Sequence, residues 1–138
     1  MNRNCGKAFD LAKEGNVVLL LGLGVGEVGM KRKVVSDKMH KIGIDMTHLT
    51  EDALSESEKE LEDSVLKELV TLRATGRLTF VDCKNFKSYQ VEDVIKEYAL
   101  KRDVTHVVLD DYHELNDAGV ISIFEDRIKE KYGVKLYF

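Results

Sequence analysis

The chain has no proline, no tryptophan and only two cysteines in 138 residues. Cys5 and Cys83 have neither metal-ligand spacing nor a close cysteine neighbour, so they read as free thiols of a reducing compartment, with burial the role expected of Cys83. No functional reading attaches to the missing proline and tryptophan. No apolar run approaches the roughly 18 residues of a membrane span. The first residues include Arg3 and Lys7 without the long apolar core of a signal peptide. A cytoplasmic protein is therefore expected. An excess of positive charge is missing too: the net charge is −4, and the acidic remainder argues against a surface for duplex nucleic acid. Linkers, internal repeats and low-complexity tracts are not evident.

What is present fits one soluble domain over residues 1–138. The 43% hydrophobic and 33% charged content is that of an ordinary globular protein able to bury its own core. Charge is distributed unevenly. Residues 1–43 carry Lys31, Arg32, Lys33, Lys38 and Lys41 among their basic groups, whereas Glu51 to Asp63 is strongly acidic. The most informative stretch follows the apolar run Val17 to Leu21. It reads Gly22-Leu23-Gly24-Val25-Gly26-Glu27-Val28-Gly29 and passes into a basic, helix-like segment. Gly24-x-Gly26-x-x-Gly29 between strand and helix is the context in which this pattern means a phosphate-binding turn. Glycine admits the tight turn and the close approach of a pyrophosphate, and the helix N-terminus offers free N–H groups and partial positive charge. Glu27 brings a negative charge into that turn.

Along the chain, strand-like and helix-like apolar periods alternate. A short helix over Lys7 to Lys13 precedes the strand at Val17. Met30 to Lys41 predicts a helix burying Met30, Val34, Met39 and Ile42, stopped by Gly43, and Ile44 to Leu49 predicts a second strand. Ser55-x-x-Glu58 is a capping-box pattern opening a helix with Leu61, Val65, Leu69 and Leu72 at helical spacing, ended by Gly76. Leu78 to Val81 is the third strand. Val91, Val94, Ile95, Tyr98 and Ala99 form the stripe of the next helix, and Thr105 to Leu109 the fourth strand, ending in Asp110-Asp111. Asn116 or Asp117 can cap a helix carrying Val120, Phe124 and Ile128, and Val134 to Phe138 closes the sheet.

Five short strands alternating with helices imply an α/β fold, a three-layer, doubly wound, mostly parallel five-stranded sheet of Rossmann-like type. Right-handed crossovers place the strand C-termini on one edge, where ligands bind at the switch in strand order. Gly22 to Gly29, Thr50 to Asp52, Asp82 to Lys84 and Asp110 to Asn116 would line that edge. His48 and His113 are the histidines that can reach it, without a nucleophile or metal-ligand partner.

These segments resemble the Rossmann-fold dinucleotide-binding proteins, and among them the RCK or TrkA-N regulatory domains of potassium channels and transporters. The likeness lies in Asn16 to Gly24, Gly43-Ile-Asp-Met-Thr47, Leu78-Thr-Phe-Val-Asp82 and Val107 to Asn116. The resemblance implies NAD(H) or an adenine nucleotide as a regulatory ligand, self-association into a homo-oligomer and a membrane transport partner. It places Gly24, Gly26 and Gly29 at the phosphates and Glu51 at the ribose, with Gly22, Asp82, Asp110 and Asp111 among the other binding residues. No catalytic acid, base or nucleophile is identifiable, so a non-enzyme is expected.

Two other readings compete. Val107 to Asp111 has the form of the strand-ending acid of RecA-like P-loop ATPases, but such a site needs Lys and then Ser or Thr after its last glycine, and Gly29 is followed by Met30-Lys31-Arg32. The chain would then carry a degenerate Walker A motif. A third reading is a nonenzymatic interaction module whose ligand site has decayed. Asp82-x-Lys84 also has the form of a nuclease metal acid and lysine, with Asp45 as the second acid, although a long helix separates the acids. For each group a bland meaning stands beside the sharp one: a turn packing helix on strand for the glycines, a solvated helix face for Lys31 to Lys33, a strand terminator for Asp110 and Asp111.

Overall fold

A run such as Val18 to Leu21 gives no polar side chain to solvent, which suits a strand covered on both faces. In the computed structural model, which describes residues 4–41, 43, 56–111 and 121–138, this run is β1 (Val18–Gly22). It pairs on one side with β2 (Leu78–Asp82) and on the other with β3 (His106–Asp110), and β4 (Lys135–Tyr137) lies outside β3. All three pairings are parallel, and the order is β2-β1-β3-β4. Among the described residues the sheet thus has four strands rather than the expected five. The expected second strand, Ile44 to Leu49, lies outside the described residues, and the place beside β1 is filled by residues 78–82.

Parallel neighbours need long crossovers, and helices supply them. After α1 (Asn4–Lys13) and β1 come α2 (Glu27–Lys41) and α3 (Glu56–Ala74), then α4 (Ser88–Lys101) between β2 and β3 and α5 (Ile121–Tyr132) between β3 and β4. Alternate strand residues serve opposite faces. Val18, Leu20, Leu78 and Val108 pack in the core beneath α1, α2 and α3, whereas Leu19, Leu21, Val107, Leu109 and Leu136 pack with residues of α4 and α5. The fold is therefore α/β with helices on both faces of a parallel sheet.

The helical stripes fall largely where their periodicity places them. Met30, Val34 and Met39 of α2, Val65, Leu69 and Leu72 of α3, Val91 and Ile95 of α4 and Ile128 of α5 are buried. Leu61 is exposed, so the stripe of α3 reaches the core only from Val65 onward. Gly43 and Gly76 follow α2 and α3 with φ of +89° and +76°, a left-handed conformation that stops a helix and suits glycine. Helix α2 starts at Glu27, three residues before the expected Met30. Ile42, Ser55, Asn116, Asp117 and Val120 lie outside the described residues, as does the side chain of Phe124.

Helix α1 is locked to α2 at both ends of their contact. Asp37 of α2, almost fully buried, accepts a hydrogen bond of 2.9 Å from the Gly6 N–H in the first turn of α1. A carboxylate suits that position, since helix-starting N–H groups lack partners and carry partial positive charge. At the other end, Asp10 of α1 pairs with Lys38 and Lys41 of α2. Partial burial works against the Asp10 carboxylate, but the hydrogen bonds from the two lysines outweigh it and hold its pKa below the ordinary value.

Gly6 lets the two helices meet, because a Cβ there would stand 2.5 Å from Asp37 Cβ. Glycine to alanine inside a helix ordinarily gains roughly 0.5–1 kcal/mol. Gly6→Ala is expected to do the reverse and lower the unfolding free energy by about 1–3 kcal/mol through overpacking, measured by urea titration.

Candidate functional site at the C-terminal sheet edge

The parallel register sets three strand ends side by side, Gly22 opposite both Asp82 and Asp110. Chain order switches here: from β1 the chain goes to one side at β2, then crosses back to the other side at β3. In open α/β sheets that switch leaves a crevice outside the strand C-termini. The turn leaving β1 is held from both sides, with the Leu23 N–H donating to the Asp110 carbonyl at 3.2 Å and the Cys83 N–H donating to the Gly22 carbonyl at 2.7 Å.

Gly22 has no room for a side chain, as a Cβ would lie 2.6 Å from the Val25 carbonyl oxygen and 2.7 Å from the Phe80 ring. Gly26 is the cap of α2, its carbonyl accepting from the Met30 N–H at 2.9 Å. The helical bonding pattern thus begins at Met30, and the amides of Gly26 to Gly29 have no acceptor within the helix. Neither Gly22, Gly26 nor Gly29 adopts left-handed φ, so their value lies in the missing side chain. Gly24 is half-buried in the same turn.

Glu27 does not cover these amides with its carboxylate. Arg73 of α3 holds it, and that hydrogen bond, followed by the guanidinium charge, keeps the Glu27 pKa below its ordinary value. Asp82 is exposed at the end of β2. Its Oδ1 accepts from the Lys84 N–H at 3.0 Å, and its Oδ2 lies 3.6 Å from where a Gly26 Cβ would be. The carboxylate therefore borders the glycine turn.

On the other side of β1, Asp110 is fully buried. Lys33 of α2 reaches it, with Nζ 2.8 Å from Asp110 Oδ2 and 3.0 Å from Asp111 Oδ2. Burial disfavours the ammonium, but the two carboxylates outweigh burial and raise the Lys33 pKa above its ordinary value. Among the described residues the buried Asp110 Oδ1 has no hydrogen-bond partner. Helix α1 covers this corner: Asn4 donates its amide to the Leu109 carbonyl at 2.8 Å, and Cys5 is buried close to Asp110. Burial first, then the Asp110 charge, pushes the Cys5 thiol well up, against the opposing effect of Lys33.

The edge thus brings together Gly22, Gly24, Gly26, Gly29, Asp82, Asp110 and Asp111. Glu51 lies outside the described residues, as do Asp45, His48, Thr50, His113 and Asn116. Lys33 was not distinguished from its neighbours by sequence, yet the three basic residues do different things. Lys33 turns inward, Arg32 is exposed, and Lys31 lines a surface cavity of about 440 Å³ with Arg73, Phe80 and Arg102. A signal was present: Lys33 is three residues from buried Met30 and four from Gly29, on the same helix face. Met30 occupies the place after Gly29 where a P-loop carries its lysine, and it is fully buried. Among the described residues no group of three His, Cys, Asp or Glu side chains is arranged to hold a metal, and no helix is long and apolar enough to cross a membrane. No family model matches the chain, and no curated protein matches it.

Two outcomes are expected here. Breaking a buried ion pair from one side strongly destabilises, and because the Lys33 side chain is 32% exposed the lower end of that range applies. Lys33→Met should lower the unfolding free energy by about 3 kcal/mol, read by denaturant titration at neutral pH. The buried thiols give a second. Burial pushes Cys83 from 9.0 up to about 12 and raises Cys5 as well. Both stay protonated in the folded chain where the unfolded chain ionises, so their contribution is complete below pH 9 and is lost as pH rises. From pH 9 to about 10, the unfolding free energy should fall toward a slope of about 1.4 kcal/mol per pH unit for each thiol. Cys83→Ala should reduce that slope by about half.

Proposed function

We propose that the C-terminal sheet edge binds a nucleotide or dinucleotide as a regulatory ligand, with its phosphates at the N-terminus of α2. The observation that carries this reading is the opening of α2 directly from a glycine turn at the switch between β2 and β3, with the Glu27 carboxylate drawn off to Arg73. Helix-start amides and partial positive charge favour an anion at such a point. Asp82 borders Gly26 at the end of the strand beside β1, and its carboxylate would accept hydrogen bonds from ribose hydroxyls, a role that the family resemblance assigns to Glu51.

Charge favours the dinucleotide. Among the described residues Asp82, Asp110 and Asp111 bring three carboxylates to this edge, and the pyrophosphate of NAD(H) sets less negative charge against them than ATP does. The buried Met30 offers the P-loop ATPase reading no lysine at its required place. A Rossmann-like order with a fifth strand, homo-oligomeric assembly and a membrane transport partner rest on the family resemblance and belong to the same proposal.

Thermal unfolding with NAD(H), ATP, ADP and AMP, each with and without Mg²⁺, tests the reading. A dinucleotide at 100 times its dissociation constant should add about 2.7 kcal/mol without Mg²⁺. Gly26→Ala fits sterically, since its Cβ meets only Asp82 Oδ2 at 3.6 Å, yet its methyl stands where a phosphate approaches. It should weaken binding by about tenfold or more, about 1.4 kcal/mol, while leaving the unfolding temperature of the free protein nearly unchanged. No stabilisation by any nucleotide would reject the reading, and Mg²⁺-dependent ATP turnover would replace it with the ATPase one.

A further inference from the structure

The end of β3 has the form of a cation seat that already holds a cation. Neighbouring residues of an extended strand send their side chains to opposite faces, so Asp110 and Asp111 should diverge. Asp111 instead takes φ of +57°, the left-handed region that aspartate tolerates in turns. Both carboxylates then meet one ammonium, with Lys33 Nζ at 2.8 Å and 3.0 Å. The ammonium thus lies against a carboxylate oxygen of each acid. Among the described residues the second oxygen of Asp110 is buried without a hydrogen-bond partner, in a side chain 1% exposed. Magnesium is commonly held by one or two carboxylates with water completing its shell, and manganese accepts the same donors. The acids for such an ion are present, and the ammonium stands between them.

We propose that Lys33 is a tethered counter-cation filling a divalent-metal seat built by Asp110 and Asp111, so that the intact chain takes up no divalent ion there. Removing the ammonium converts the seat into a site for Mg²⁺ or Mn²⁺. The buried Asp110 carboxylate requires a positive partner, and a hydrated divalent ion can take the space a lysine side chain leaves. This inference is independent of the nucleotide reading, because metal and ammonium compete for the same oxygens whether or not a nucleotide binds beside them.

The test is thermal unfolding of the full chain and of Lys33→Ala, Lys33→Gln and Lys33→Ala/Asp110→Asn, each in EDTA and in millimolar Mn²⁺, with Mn²⁺ bound per chain counted by electron paramagnetic resonance. The original chain should unfold at the same temperature in both conditions. Lys33→Ala should be less stable in EDTA, gain about 3 °C or more in Mn²⁺ and bind one ion per chain, while the double variant should show neither response. Should Lys33→Ala fold only with Mn²⁺, that too supports the seat, and Lys33→Gln, which keeps side-chain length and loses the charge, repeats the comparison. Stabilisation of the original chain by Mn²⁺ equal to that of Lys33→Ala would overturn the proposal. So would the absence of an Mn²⁺ response in both single variants, folded or not.

Discussion

A fully buried carboxylate ends β3, a strand paired on both sides, and helices α1 and α2 meet around it. Asp110 sits where β3 meets the switch point, and its charge is met by Lys33 at 2.8 Å. An isolated carboxylate in such a place would be unfavourable by several kcal/mol, so the register of α2 over β1 is not free to slide. A shift of one residue along α2 rotates Lys33 by about 100° away from β3. The same placement buries Met30 and Val34 beneath the helix and sets Gly26 at the cap, so the ion pair and the glycine turn are two consequences of one docking geometry.

Helix α1 completes that geometry from the other side. Its first turn covers Asp110 through Cys5 and ties to β3 through Asn4 and the Leu109 carbonyl. Its contact with α2 depends on Gly6 and on the buried Asp37 acting as an acceptor for the helix start. Charges that look like surface decoration in sequence, Asp10, Lys38 and Asp37 among them, are thus the fastening between α1 and α2. The corner at β3 covered by α1 and the glycine turn at β1 give the edge two chemically different halves, one holding an internal ammonium and one bordered by the exposed Asp82.

Much of this was legible in the sequence because the determinants are local. The run Val18 to Leu21 reads as a doubly covered strand from its lack of polar residues, and the stripe Val91 to Ala99 reads as a helix from its spacing. Glycine punctuation placed the ends of α2 and α3 correctly. What escaped depends on pairing across long separations. That residues 78–82 stand directly beside β1 cannot be read from periodicity, since strand order is set by crossover packing. Of the two acids that the family resemblance sets at the site, Asp82 borders the turn, and Glu51 lies outside the described residues. Lys33 was hidden in a run of three basic residues whose facing only the docked helix reveals, and α2 began earlier than Met30 because Gly26 can cap as well as turn.

The account stands on the coupling between Lys33 and Asp110, seventy-seven residues apart in sequence. A double-mutant cycle with Lys33→Met, Asp110→Asn and the pair, followed by urea unfolding, measures that coupling while cancelling the loss of each side chain alone. The predicted result is a coupling free energy of about 1.5–3 kcal/mol, with the double variant more stable than Lys33→Met. A coupling within about 0.3 kcal/mol of zero would contradict the account, because Asp110 would then be neutralised by something other than Lys33.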